Sequence, residues 1–339
     1  MKREKWVSLP VNRLTLPAKS REDRGELVSL SLATAAENGK YANICCDGRL
    51  VFGDVAADVS APKFQWFGDW ILMFAGQLAS TDLIVEQLRL ESLTPEATRS
   101  FARENVAKTL RLAFNDRVAI WSAIRHVSMF KMDADEFRRD GPNFFGSKLF
   151  AEFTRAMHND AQKNFHDQVM LVGWGKANKS LLIHSVSIAG DKSHSRDAHG
   201  AIGTGRIAAT ESLVKLNHAL HSSLQDSIYM TLAAKFSAES KFVGKDTALF
   251  VTRHRIETDE TDKPFAIPVQ PGIIENFRAI WKRNRNSRSI PLEARKLGFE
   301  IAKLTQDQEV INLGSLQLMK AVLEAETKPL TSRKSKRAQ

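Results

Sequence analysis

The sequence predicts an α+β protein in which antiparallel sheets carry helices on their outer faces. Three features indicate this: an early β-hairpin, a second strand pair, and an element order of strands, two helices, strands, two helices and a strand. In the hairpin, residues 27–36 alternate small polar and apolar side chains, and residues 37–40 contain an Asn-Gly turn. Residues 41–46 then begin the return strand.

The later elements follow from changes in hydrophobic periodicity. Residues 63–67 and the apolar run 70–75 flank a Gly-Asp turn and are predicted to pair. From Ser80 the apolar residues recur at helical spacing, and residues 115–165 are predicted to be largely helical with a break at 140–143. Two paired strands follow at 168–174 and 180–187. Two helices then begin at Gly205 and near Leu224, and a last strand lies at 247–252.

The composition is that of a globular protein with a sizeable core. Of 339 residues, 43% are hydrophobic and 26% are charged, which fits one large domain or two smaller ones. No apolar run approaches the roughly 20 residues that span a bilayer, and the N-terminus lacks a secretory signal, so we expect a cytoplasmic protein with no membrane partner. Cys45 and Cys46 are adjacent in a predicted strand and point to opposite faces, so no disulfide framework is expected.

The formal net charge of +10 raises the question of an acidic partner. Basic residues cluster late, at 281–288 and 332–337, but no nucleic-acid-binding motif adjoins them. Exposed charge runs are usually solvated surface, so a nucleic-acid-associated scaffold is the less favoured alternative. Such a scaffold would bind less tightly as salt rises and would lose binding on deletion of residues 282–339.

The motifs predict neither a cofactor nor a metal. The nine histidines show neither H-E-x-x-H nor a Cys/His ligand spacing. Residues 203–208 fit G-x-G-x-x-A, but the βαβ unit and the acidic ribose partner of a dinucleotide site are missing. The glycines more simply allow a tight turn and close packing of a helix on a sheet.

Four short motifs carry the functional prediction. The first is the strand end 44–49, Ile-Cys-Cys-Asp-Gly-Arg, and the second is Lys63, which lies 63 − 47 = 16 residues beyond the aspartate of the first. The third is Phe-Ala-Gly at 74–76, before a predicted helix. The fourth comprises Val-Gly-Trp-Gly at 172–175 and, after a strand pair, Ala-Ile-Gly-Thr-Gly at 201–205.

In this order, and next to these elements, the motifs resemble the proteasome β-subunit family and its bacterial ATP-dependent relative. The resemblance covers roughly residues 27–92 and 168–252. It implies a peptide or amide hydrolase that needs no metal or organic cofactor. It also implies self-assembly into a homo-oligomeric ring or stack, since subunits of the family pack through their outer helices.

The fold that the resemblance implies is a four-layer αββα sandwich of the N-terminal-nucleophile (Ntn) hydrolase type. The implied divisions are a lead-in at 1–25 and the Ntn domain at 26–256, which contains a helical insertion at about 115–165. A C-terminal helical extension with a basic tail follows at 257–339. The insertion and the extension lie outside the two stretches that carry the motifs.

The resemblance further implies a nucleophile. In the family the first residue of the mature chain is the nucleophile, and its own α-amine activates it. Counting back from Asp47 by the family spacing gives 47 − 16 = 31, so Ser31 is the predicted nucleophile. Ser29 is its rival, because it points to the same strand face and a small difference in hairpin length would exchange the two.

Four other residues have roles in the same prediction. Lys63 activates the hydroxyl or takes its proton, and Asp47 orients the lysine. Arg49 braces the site, and the backbone N–H of Gly76 stabilises the developing oxyanion. Catalysis would therefore depend on a hydroxyl, a carboxylate and an ammonium group that share one cleft between two sheets.

Two departures keep a second function open. The family cuts itself after a glycine, but here Leu30 precedes Ser31 and Val28 precedes the rival serine. Without cleavage the nucleophile carries an amide, which is no base. Residues 241–246 also replace the aspartate and serine that support the family's site. The alternative is a catalytically inactive structural member that forms a homo-oligomer, and a new N-terminus at Ser31 or Ser29 would favour the hydrolase instead.

Overall fold

The computed structural model describes residues 29–47, 49–52, 55–58, 63–67, 70–76, 84–85, 88, 103–174, 180–239, 243–253 and 265–306. The strands in these ranges are β1 Leu30–Ala36, β2 Tyr41–Asp47, β3 Arg49–Phe52, β4 Val55–Asp58, β5 Phe64–Phe67, β6 Trp70–Ala75, β7 Gln168–Trp174, β8 Leu181–Ser187, β9 Gly190–Ser193, β10 His199–Gly203, β11 Thr247–Arg253 and β12 Phe265–Pro268. The α-helices are α1 Arg103–His126, α2 Ala134–Asn164, α3 Arg206–Lys215, α4 Leu224–Ala238, α5 Pro271–Asn284 and α6 Leu292–Gln306.

Two antiparallel sheets organise the molecule. The first has the strand order β10-β1-β2-β11-β12 and the second β5-β6-β7-β8-β9, while β3 and β4 form a separate two-stranded ribbon. In the first sheet Ser31 lies opposite Cys46 on one side and Ile202 on the other. The predicted mixture of helices and antiparallel strands is confirmed, as is the opening hairpin, whose turn places Asn38 in the left-handed region at φ 59°.

The facing surfaces of the two sheets form one buried core. On β1, Ala33 and Ala35 point towards the second sheet, and their small side chains suit close approach of the two layers. From the second sheet, Ile71 and Met73 of β6 and Met170 of β7 enter the same core. The alternating residues Leu30 and Leu32 point the other way, into a core shared with helices.

Helices cover the sheet surfaces that face outwards. Helix α4 packs against β1 and β2, and α3 packs against β10. On the second sheet, α1 packs against β8, and its residues Leu110 and Phe114 are fully buried there. Helices α5 and α6 pack against α4 and share its apolar core. The division of the chain into domains stays a prediction.

A buried polar network fixes α4 on the first sheet. The Thr34 hydroxyl of β1 lies 2.6 Å from the Thr231 hydroxyl of α4. The Asn43 side-chain amide of β2 donates to Thr34 at 3.1 Å and to Ser227 of α4 at 2.9 Å. Buried polar groups stabilise only when they are hydrogen-bonded, so these contacts select one placement of the helix over the strands.

Helix α2 differs from the sequence prediction. It begins with a capping box, in which Asp133 accepts from the backbone of Glu136 and the Glu136 side chain accepts from Asp133. The predicted break at 140–143 is wrong, because the helix continues through Pro142. The non-helical residue is Gly146, with φ 75°. The ring of Phe137, before the proline, packs against the rings of Phe145 and Phe150, after it. The helical geometry is therefore interrupted at Gly146, where glycine allows a positive φ.

The predicted helices that begin at Gly205 and near Leu224 are confirmed as α3 and α4. The predicted strand at 247–252 is confirmed as β11. Among the described residues, no helix combines the length and apolar character needed to cross a membrane. The lead-in at 1–25 and the basic tail at 332–337 lie outside the described residues.

Candidate functional site

The ends of several strands meet at one edge of the two sheets. Leu30, at the start of β1, pairs with Gly203, at the end of β10. Ala75, at the end of β6, pairs with Gln168, at the start of β7. The two sheets touch here, because a Cβ on Gly203 would lie 3.2 Å from the Cβ of Ala75. We call this edge the strand-end site and define it by Ser29, Asp47, Lys63, Gly76 and Gly203.

A buried ion pair occupies the strand-end site. The Lys63 ammonium lies 2.7 Å from Oδ1 of Asp47, with 5% and 0% of the two side chains exposed. The second carboxylate oxygen accepts a hydrogen bond from the backbone N–H of Gly244 at 3.1 Å. Burial raises the pKa of Asp47, and the charge of Lys63 and its hydrogen bond oppose that shift. The structure thus brings together the predicted carboxylate and ammonium group.

Ser31 has a different partner. Its hydroxyl is fully buried and donates to the backbone carbonyl of Phe74 in β6 at 2.9 Å. Because Ser31 lies opposite Cys46, and successive residues alternate faces, its side chain points to the facing sheet while that of Asp47 points to the helix side. The hydrogen bond of Ser31 is therefore made with a strand backbone, and its role as nucleophile stays a prediction.

Ser29, the rival candidate, lies directly before β1. The residue is 1% exposed, and its Oγ has no hydrogen-bond partner within the described part of the chain. A buried polar group without a partner is costly, and such groups often mark functional positions. Lys63 directly precedes β5 of the second sheet, and its ammonium contacts Asp47 at the end of β2.

Two glycines shape the edge. Gly203 has φ 92°, and a Cβ there would lie 2.2 Å from the carbonyl oxygen of Ser29. Its N–H donates to the side-chain oxygen of Gln168 at 3.0 Å. Gly76 is exposed, has φ 127°, and a Cβ there would lie 2.2 Å from Oδ1 of Asp167. Only glycine fits either position. The proposed use of the Gly76 N–H for an oxyanion stays a prediction.

Arg49 begins β3, where its backbone pairs opposite Asp58 of β4. Its side chain lies outside the described residues. Its predicted bracing role therefore stays a prediction.

A cleft of about 560 Å³ opens beside the strand-end site. Gln168, which contacts Gly203, forms part of its wall, and so does Ile202 of β10. Helix α3 supplies Arg206 and Ile207 to the opposite wall. Between them, burial lowers the pKa of His194 to about 4, so this imidazole is neutral at pH 7. The cleft thus has mixed polar and apolar walls and reaches the edge where the strands end.

Lys235 and Arg278 extend the charges around Asp47, and the sequence analysis missed both. Lys235 is fully buried on α4 and donates to the carbonyl of Gly244 at 2.7 Å. Arg278 of α5 donates to Glu239, just after α4, at 2.6 Å. The sequence offered one signal for Lys235, which lies within the apolar run Met-Thr-Leu-Ala-Ala-Lys-Phe. A lysine is almost never fully buried unless it is paired, so this position indicated a buried partner.

In the described ranges, no three His, Cys, Asp or Glu residues gather as a metal site.

Comparisons by sequence found no relative: no protein-family model and no curated protein matches the chain. Comparison of structures did find relatives. Anbu (ancestral beta-subunit) from Yersinia bercovieri matches with a TM-score of 0.51 and 16% identity, over 75% of this chain and 94% of the Yersinia chain. An Anbu mutant from Hyphomicrobium sp. strain MC1 matches with a TM-score of 0.49 and 14% identity, over 76% of this chain and 96% of that one.

The Yersinia match corrects the resemblance drawn from the sequence. Anbu proteins are proteasome-like but form a distinct family, so the assignment to the proteasome β-subunits and their bacterial ATP-dependent relative is wrong. At 16% identity the likeness concerns the fold alone. The chain therefore shares the fold of the Yersinia Anbu protein.

Proposed function

We propose that this protein is a self-assembling Ntn hydrolase that cleaves an amide or peptide bond with Ser29 as nucleophile. The observation that carries the proposal is the buried Asp47–Lys63 ion pair at 2.7 Å. Two buried charges are costly to desolvate, and a site that keeps them next to strand ends and a cleft is a candidate for catalysis. A four-layer αββα arrangement is supported by three sets of contacts. Helices α3 and α4 pack on the first sheet, the two sheets contact each other, and α1 packs on the second sheet.

The choice of Ser29 over Ser31 rests on their hydrogen bonds. The Ser31 proton is donated to the carbonyl of Phe74, and attack by this hydroxyl would require that bond to break inside a paired strand. The Ser29 hydroxyl has no partner among the described residues. Ser29 also precedes the first paired residue of β1, so a chain that began there would keep all the strand pairing of Leu30.

The chemistry follows from a chain that begins at Ser29. Its α-amine would take the hydroxyl proton as Oγ forms a bond to the substrate carbonyl carbon. The N–H of Gly76 would stabilise the oxyanion, and Lys63 would add positive charge nearby. Collapse would break the C–N bond, and the leaving amine would take the proton from the α-ammonium. Water would then hydrolyse the ester and restore Ser29, with the substrate chain lying in the adjoining cleft.

Mass spectrometry and an amide-hydrolysis assay test this proposal. We expect the purified protein to lose residues 1–28, and Ser29→Ala to remain uncut and to lower hydrolysis by about 10³-fold or more. Ser31→Ala is the matched control, because it removes a hydroxyl from the same strand face, and it should still be cut and active. An uncut wild-type chain that turns over no peptide or ester, and that reacts with no serine-directed electrophile, would contradict the proposal.

A second candidate is a structural, non-hydrolytic protein of the same fold. The observation that favours it is the sequence at the cleavage junction, where Val28 stands in place of a glycine. An intact chain that assembles normally would support this candidate.

Self-assembly is part of both candidates and has its own test. Helix α3 lies on the outside of the molecule, and Ile207 and Val214 are each 64% exposed. Exposed apolar side chains on one helix are typical of a subunit interface. Native mass spectrometry should show multiples of the subunit mass, which is 37.9 kDa for the uncut chain, and Val214→Arg should shift the protein towards the monomer. A wild-type protein that stays monomeric at micromolar concentration would exclude self-assembly.

A further inference from the structure

A series of buried contacts links α4 to the Asp47–Lys63 pair. The Lys235 ammonium donates to the carbonyl of Gly244 at 2.7 Å and to Glu239 at 3.0 Å. The N–H of the same glycine donates to Asp47 at 3.1 Å. One residue of the segment 243–247 thus contacts the carboxylate through its N–H and a buried cation through its carbonyl.

Arg278 of α5 holds the same segment from another side. Its guanidinium donates to the carbonyl of Lys245 at 2.7 Å and to the hydroxyl of Thr247 at 3.3 Å. It also donates to Glu239 at 2.6 Å, and it lies 4.2 Å from the centre of the Phe236 ring. A planar guanidinium with several fixed donors suits such a role better than an ammonium group.

We propose that Lys235 and Arg278 are positioning residues, which hold the segment 243–247 against Asp47 and thereby fix the geometry of the Asp47–Lys63 pair. The importance of the pair for catalysis rests on the proposed function, but the positioning itself does not. In this arrangement α5, part of the predicted C-terminal extension, supports the strand-end site through the segment 243–247.

The geometry gives each contact a separate task. One oxygen of Asp47 binds Lys63, and the other binds the N–H of Gly244, so both carboxylate oxygens are fixed only while the segment stays in place. Among the described residues, the other charged or titratable groups around Asp47 are Lys235 and Glu239 from the helix side and the neighbouring thiols of its own strand. Burial has the largest effect and raises the pKa of Asp47. The charge of Lys63 lowers this pKa, and the charge of Lys235 lowers it by a smaller amount.

Two measurements on the full-length protein test the proposal without an activity assay. The first is the protonation midpoint of Asp47, followed by infrared difference spectroscopy and assigned by loss of the band in Asp47→Asn. The second is hydrogen exchange of the peptide that covers residues 243–247. Lys235→Met should raise the midpoint by about one pH unit, whereas Lys235→Arg should leave it near the wild-type value.

Arg278 is tested by the second measurement. Arg278→Met should speed exchange of the 243–247 amides about tenfold, which is the effect expected when a segment opens more often. Arg278→Lys should have a smaller effect in the same direction, because one ammonium cannot replace all the donors. Arg283→Met is the matched control: it lies on the same helix, in an exposed ion pair with Glu293, and should change neither measurement.

A folded Lys235→Met with a wild-type midpoint and wild-type exchange would overturn the proposal. If Lys235→Met and Arg278→Met do not fold, the charge-conserving Arg278→Lys decides, and unchanged exchange in that variant would also overturn it. A wild-type chain that hydrolyses nothing would contradict the proposed function, but the protonation midpoints and exchange rates of the variants could still be compared. Failure of the proposed function is therefore distinguishable from failure of the positioning proposal.

Discussion

Replacing Lys63 by methionine is expected to destabilise the folded protein by about 3–5 kcal/mol, the cost of leaving one partner of a buried ion pair without its counter-charge. Methionine fills a similar volume, so the effect reports charge more than packing. If the protein is a hydrolase, the same change should also lower turnover by at least about 10²-fold, since the developing oxyanion loses a nearby cation. Urea unfolding and the hydrolysis assay measure the two effects.

The stability defect of Lys63→Met should depend on pH. Burial gives Asp47 a pKa above its ordinary value of 3.8, and removal of the lysine raises it further. A carboxyl group with a raised pKa binds its proton more readily in the folded state, so the folded variant gains stability as pH falls through that raised pKa. The difference between variant and wild type should therefore shrink between pH 7 and pH 4.

Two controls accompany this prediction. The double variant Asp47→Asn/Lys63→Met removes both charges and should be more stable than Lys63→Met alone. Lys192→Met breaks an exposed ion pair with Asp197 and should cost no more than about 1 kcal/mol. Equal losses in all three variants, or a defect independent of pH, would show that the buried pair does not have the assigned electrostatic role.

Replacing Gly203 by alanine is expected to cost about 3 kcal/mol or more and to disturb the strand-end site. The residue has φ 92°, which alanine adopts only with strain, and the new Cβ would lie 2.2 Å from the carbonyl oxygen of Ser29. Backbone atoms cannot swing aside like the end of a long side chain, so β1 and β10 must separate. Thermal unfolding and reactivity of Ser29 towards a serine-directed electrophile measure both consequences.

Gly272→Ala is the matched control for this change. Gly272 is the second residue of α5, and nothing lies within 4 Å of a Cβ built there. Alanine in a helix should leave stability unchanged or raise it by up to about 1 kcal/mol. A Gly203→Ala protein as stable as wild type, with normal labelling of Ser29, would mean that the edge is less tightly packed than the structure indicates.

Local patterns in the sequence were sufficient to predict the elements around the site. The Asn-Gly turn and the alternation in residues 27–36 predicted the hairpin, and the 16-residue spacing predicted that Asp47 and Lys63 meet. The alternation reflects strand geometry that short stretches of sequence encode, whereas the meeting of Asp47 and Lys63 was implied by the family resemblance. The break assigned to residues 140–143 was wrong, because ring packing along α2 joins residues up to 150 − 137 = 13 positions apart.

Long-range contacts could not be predicted. Ser29 and Ser31 share a strand face, so alternation cannot separate them, and the distinguishing hydrogen bond depends on where Phe74 of another sheet lies. Lys235 and Arg278 lie 235 − 47 = 188 and 278 − 47 = 231 residues beyond Asp47 in the sequence, and no local pattern links them to it. The family assignment also failed, because four short motifs are not specific enough to distinguish one proteasome-like family from another.

The adjacent thiols of β2 provide a natural probe of how the layers come apart. Cys45 points into the core beneath the helices and Cys46 into the core between the sheets, and each is at most 1% exposed. Burial raises the pKa of both, to about 11 for Cys46, so neither reacts as a thiolate while the layers stay closed. The rate at which Cys45 is alkylated therefore reports how often the helices leave the sheet. The rate at which the adjacent Cys46 is alkylated reports how often the two sheets separate.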